Sequence, residues 1–555
     1  MKSNRVPHDK IPQNEEISAR GRFDWFDWLH KSDPNCQLAK QALEKVSEVY
    51  PHFEPKDHPD FTAWIESGWI KEPGIPTVEA LLEKPPTFWA NFLLSVEGAE
   101  EIGPTRGGIV KNLSEAIKRD FIWSLGLAEA LSTAERWDAY PWYALINTWS
   151  KAELEEDRYL QVFTWLESSQ LYPYHSHEIA DSLYALVKNG GPPYAFRLLP
   201  RANGIAEELW QHLDRTIKID EKRGWFNQSV NYPVWGLANF WLSSISLWGQ
   251  HQVPPPKSLS EDYRRPLLEI IKDSSQIGGA GKSILAAQLR YLLGVDEEWT
   301  RNHLLPLFEV DSVDFQAVWD GFVTVARLSP TVAEALSELF LKAVTRISTG
   351  LFNQRRGFVK CYTAMVAYVI DDIDDVLDKW IPKLFKYGSL QSQQSNGEPT
   401  FLQEDNSTIP EIFSWQVGKY LERMNDSESQ ELWVRWLREY WQNRIDGRPA
   451  QLTAKEADFM LEWLPELDTQ FGDAVELAIQ MPSASLQNTR ILARLETDKT
   501  WEKHPEALAK LLIFLWGCDV PLWYHDSVSK LIKPLIESDI SSELKQKLQN
   551  ISIQL

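Results

Sequence analysis

Residues 278–283 read GGAGKS, and their types could hold a nucleotide. In a P-loop, glycines free backbone N–H groups to wrap phosphates, a lysine reaches the outer ones, and a hydroxyl holds magnesium. Lys282 and Ser283 would take those roles here. The acids of AYVIDDIDD (367–375), led by Asp371 and Asp372, would complete the magnesium shell at the end of an apolar strand. The full pattern is GxxxxGK[ST], and Gln276 stands where its first glycine belongs. The loop should also follow a buried strand, whereas IIKDSS (270–275) is too polar to end one. A nucleotide switch built on Lys282, Ser283, Asp371 and Asp372 is therefore the alternative rather than the expectation.

The same acids fit two helical enzyme motifs. DDIDD matches the DDxxD magnesium motif of terpene synthases, and DIDD matches the DxDD acid motif of terpene cyclases. The partner motif fails, because NDSESQELW (425–433) has Ser427 in place of an aliphatic residue and Trp433 in place of Glu. A helical toroid enzyme is a further alternative. On a helix, Asp371, Asp374, Asp375 and Asp378 read as one solvated acidic stripe, the usual state of a charge run. YPYHSHEI (172–179) offers His175, His177 and Glu178, without the further ligands that a four-coordinate metal needs. GxSxG is absent. The residues thus predict no catalytic centre, no metal and no cofactor.

The elements that would position these groups are helical. In LSEAIKRDFIWSLGLAEAL, Leu113, Ile117, Phe121, Leu125 and Leu131 follow helical spacing. Leu304, Leu307, Phe308, Phe322, Leu336, Leu339 and Phe340 repeat the pattern, and alternating strand patterns are nearly absent. KEPGIP (71–76), KPP (84–86), KNGGPP (188–193) and VPPPKS (253–258) punctuate the chain at helix-pair intervals. The expectation is an all-α fold, an irregular HEAT-like helical-repeat solenoid with a short irregular N-terminal segment. Its parts are that segment (1–90), a helical block (91–386), a loop or linker (387–410) and a C-terminal helical block (411–555).

The chain has 26 tryptophans, enough to raise the question of sugar stacking. Trp299, Trp319, Trp380, Trp433, Trp436, Trp441 and Trp463 sit among Leu, Phe and Val at helical offsets, which predicts core packing instead. The net charge of -22, with no basic run, argues against a nucleic-acid partner. Cys36, Cys361 and Cys518 lack paired spacing, as in a reducing cytoplasm. The polar N-terminus and the lack of any apolar run near 20 residues predict no membrane association.

Longer stretches carry a family likeness. PHFEPKDHPDFTAWIESGW (51–69), SLYALVKNGGPPYAFRLLP (182–200), LAAQLRYLLGVDEEWTRNHLLPLF (285–308) and LWVRWLREYWQNRIDGRPAQLTAKEADFMLEWLPEL (432–467) resemble the C-terminal helical region of bacterial sirtuin-like antiviral defence proteins. That region includes domain of unknown function 4020. The resemblance implies a non-catalytic scaffold or sensor that binds a protein partner, such as a phage component, and relays to a sirtuin-like NAD-degrading effector. GAGKS (279–283) also resembles the glycine-rich opening of a sirtuin NAD site, but no later catalytic histidine accompanies it. The resemblance further implies that GGAGKS is a turn. Gly278, Gly279 and Gly281 would then take positive φ before a helix starting near Ser283, with Lys282 exposed and Leu289 buried.

Overall fold

A computed structural model describes residues 11–55, 75–95, 106–220, 223–325, 327–351, 354–388, 407–482, 484–487, 490–518 and 520–555. The fold is all-α, and every regular element among the described residues is a helix. Two compact units are present: Met1–Ile75 with Glu100–Pro104, and Pro76–Ala99 with Thr105–Leu555.

In the first unit the chain is helical over Ile11–Ser32 and Gln37–Val49, inside the segment expected to be irregular. Prolines at positions 7 and 12 suggest a broken chain, but a proline in the first turn of a helix gives up only an N–H that has no helical partner. The first helix is held by Arg20, which pairs with Asp24 at 2.8 Å and donates to the Glu54 carbonyl at 2.6 Å.

In the second unit, helices meet in sequence order. Pro141–Trp149 packs on Tyr172–Val187, which packs on Pro233–Gln250. The row continues through Gln276–Ala287, Phe315–Val325, Arg355–Tyr368 and Ile409–Leu421 to Ala454–Leu461. Each member touches the next, so a buried helix in this row has neighbours on both sides. Small residues let the backbones approach: a Cβ on Gly236 would stand 2.6 Å from the Ala180 carbonyl carbon. All seven tryptophans named above are buried, none more than 4% exposed.

Arg355–Tyr368 packs directly on Ile409–Leu421, so the row runs on past the 387–410 segment. Most of that segment, 389–406, lies outside the described residues. The pattern around Leu113 and Leu131 is two helices rather than one. Arg106–Arg119 ends at Asp120, whose carboxylate accepts from the Trp123 N–H at 2.9 Å and starts Phe121–Thr133.

Candidate functional site

GGAGKS is not a turn. It lies within the helix Gln276–Ala287, capped by Ser275, whose hydroxyl accepts from the Gly278 N–H at 3.2 Å. None of its glycines has positive φ; among the described residues that conformation occurs in glycines at Gly190, Gly191, Gly224 and Gly447. Close contact, not chain reversal, explains the composition. A Cβ at Gly279 would meet the Trp225 ring at 2.8 Å, and one at Gly281 would meet Ile270 at 2.7 Å. Across the interface, a Cβ on Gly321 would stand 1.8 Å from the Ser283 carbonyl oxygen. These contacts offset the roughly 1 kcal/mol that each glycine costs a helix relative to alanine.

Lys282 is correspondingly buried, with 2% exposure, where the turn required it in solvent. Its ammonium donates to Asp314 Oδ1 and to the Asp273 carbonyl, each at 2.8 Å. Ser283 is fully buried and donates to the Ala280 carbonyl at 2.7 Å. The lysine and hydroxyl of the motif are thus engaged inside the fold, and the helix's own hydrogen bonds use the N–H groups that a P-loop would offer to phosphate. Leu289 is buried as expected.

The helix partner Phe315–Val325 carries a second buried charge, Asp320. Its carboxylate accepts from the Phe226 N–H at 2.7 Å and from the Gln354 amide at 3.0 Å. Burial raises its pKa, and these hydrogen bonds oppose the rise. Gly224, at φ 84°, leaves room for it: a Cβ there would stand 3.2 Å from Oδ1.

The acids behave in the opposite way. Arg355–Tyr368 ends before them, so AYVI is the close of a helix and its turn, not a strand. Asp371, Asp372 and Asp374 are exposed. Asp372 caps the helix that follows, accepting from the Asp374 N–H at 2.9 Å, and Asp375 lies 3.7 Å from Lys379. NDSESQELW is also structural. Asn425 and Glu428 form a reciprocal capping box, and Trp433 is buried with its indole donating to Asp473 at 3.0 Å.

His175 is buried and its Nε2 contacts the Trp137 carbonyl at 3.1 Å; burial lowers its pKa. His177 lies 3.5 Å from Asp181. Among the described residues no group of His, Cys, Asp and Glu is arranged to hold a metal.

One constellation escaped the sequence. Arg444 and Glu456 are both buried and paired through two hydrogen bonds of 2.8 Å. Arg444 also donates to the Arg448 and Ala450 carbonyls, at 2.8 Å and 2.6 Å, and so pins the loop after its helix. Thr453 starts the next helix by accepting from the Glu456 N–H at 3.1 Å. The TAKE spacing of that cap was the available signal.

This network lies in the part of the chain that matches a known domain family. Residues 411–551 match a family described as Domain of unknown function (DUF4020). No curated protein and no solved structure matches the chain.

Proposed function

We propose that the chain is a non-catalytic helical scaffold of a bacterial antiphage defence system. In this reading a HEAT-like stack of helices in the cytoplasm binds a protein partner and relays that event to a sirtuin-like NAD-degrading domain or subunit. The defence context rests on the sequence resemblance alone; the match over residues 411–551 is to a domain of unknown function and brings no role with it. Among the described residues no helix is long and apolar enough to cross a membrane.

The surface at the C-terminal end supports partner binding. Leu522 is 81% exposed, Trp523 68% and Ile553 83%. Trp516 links their two segments: its indole donates to Gln554 at 2.9 Å, and its ring packs on His525 at 5.3 Å. Large apolar side chains left in water favour burial by a partner, and tryptophan is prominent among residues that dominate binding.

Coexpression pull-downs from infected and uninfected cells test the reading. A protein partner captured by the wild type and lost with Trp523→Asp, at unchanged melting temperature, is the expected result. No partner in either condition contradicts it.

A further inference from the structure

An asparagine followed by glycine can close on itself. The main-chain nitrogen of the glycine attacks the asparagine Cγ, the Cγ–Nδ2 bond breaks, and ammonia leaves with the displaced amide proton. Water then opens the five-membered imide at either carbonyl, leaving aspartate or isoaspartate, in which the main chain runs through Cβ and Cγ. Glycine favours the closure because it has no side chain to crowd the ring and lets the backbone turn freely. The chain has three such steps, at Asn189, Asn203 and Asn396. Asn396 lies outside the described residues.

The fold separates the other two. Asn189 sits in the turn after the helix Tyr172–Val187, at φ 57° and ψ 28° in the left-handed region. Lys188, Asn189, Gly190 and Gly191 are all exposed, and the Asn189 side chain makes no hydrogen bond among the described residues. Closing the ring rotates the Asn189 ψ away from 28°. Gly190, at φ 90° with open space where a Cβ would stand, can take up that rotation.

Asn203 has the same residue after it, and Gly204 has the same open space. Its backbone lacks the freedom. Asn203 lies inside the helix Ala195–Gln211, where the next N–H is committed to the carbonyl four residues back and ψ is held by turns on both sides. Its Oδ1 is also shut away from solvent.

The structure assigns Asn189 as a site of spontaneous deamidation and isoaspartate formation, and Asn203 as a matching step that the fold protects. The isoaspartate product adds one atom to the main chain and a negative charge two residues before Gly191. Gly191 is at φ 62°, and a Cβ there would stand 2.2 Å from the Leu186 carbonyl oxygen. A turn packed that closely takes the extra atom only by shifting the start of the helix Ala195–Gln211, so the reaction loosens the junction between two neighbouring helices. This site goes beyond the scaffold reading and does not depend on it.

Peptide mapping of the full chain after storage in mildly alkaline buffer tests it. Trypsin places the two asparagines in different peptides, because Arg197 and Arg201 lie between them. The Asn189 peptide should convert to aspartate and isoaspartate roughly tenfold faster or more than the Asn203 peptide, the protection that a helix interior has over an exposed turn. In guanidinium the two rates should converge, since the local chemistry is the same. An Asn189→Gly chain, which keeps a residue suited to the left-handed turn, should hold its melting temperature on storage while the wild type loses some. Equal rates in the folded chain, an unreacted Asn189, or a gap that persists in guanidinium overturns the inference, and so does an equal loss of melting temperature in the two chains.

Discussion

The stretches 278–283 and 371–375 look equally chemical in sequence, yet the fold treats them as opposites. The first is buried throughout, with Lys282 closed against Asp314. The second starts a helix at the surface, with Asp371, Asp372 and Asp374 exposed. A phosphate site needs the glycine-rich and acidic segments to meet in a solvent-filled loop at the end of a strand. Here each stretch serves its own local purpose, close packing in one and helix capping in the other. Motif spelling does not reveal burial, and burial decides whether a lysine can reach a ligand.

The contrast can be broken most severely at the helix contact. Gly321→Ala puts a Cβ against the Ser283 carbonyl, a backbone atom that can yield only if two helices separate. Urea unfolding should show a loss of about 3 kcal/mol or more, at or above the upper end for overpacked sites. A loss near zero would mean that these helices are not in contact.

Lys282→Met comes next. It strands Asp314, whose side chain keeps 15% exposure, and removes the donor to the Asp273 carbonyl. Breaking a buried pair costs about 3–5 kcal/mol, and the partial wetting of Asp314 lowers the expected loss to about 2–4 kcal/mol. Adding Asp314→Leu should recover part of it. An exposed turn lysine would instead lose only a few tenths of a kcal/mol.

Asp320 gives a smaller, pH-dependent effect. Because its pKa is raised in the folded state, the fold holds that proton more tightly than the unfolded chain does. The contribution is fully present below the unfolded carboxylate pKa and fades as pH rises through the folded value. Wild type should therefore gain stability relative to Asp320→Asn as the pH falls from 7 toward 4, read by unfolding the pair at each pH. A gap that is flat or shrinks on acidification would contradict the buried carboxylate.

The acidic stretch should respond least. Asp372→Ala removes a helix cap and should cost about 0.5–2 kcal/mol. Asp371→Ala, at an exposed position, should stay within about 0.5 kcal/mol. Equal losses at the two positions would deny the cap.

The all-α class was legible because helical spacing is a local signal: Leu113, Leu304, Leu336 and Phe340 are fully buried. The tryptophans were legible for the same reason. The glycine helix was misread because its stability is not local. Three glycines in six residues speak for a turn until Trp225, Ile270 and the helix bearing Gly321 are brought against them. Ser275 three residues before Gly278, and Ile277, Ala280 and Ile284 at helical spacing, were the signals that pointed the other way.

The central claim is that GGAGKS packs helices rather than holding phosphate, and calorimetry of the full chain with ATP and magnesium tests it most directly. The account predicts no saturable heat up to about 1 mM nucleotide, a limit near 4.1 kcal/mol of binding free energy. Binding tighter than about 100 μM, or roughly 5.5 kcal/mol, that disappears in a folded Lys282→Met chain would contradict it.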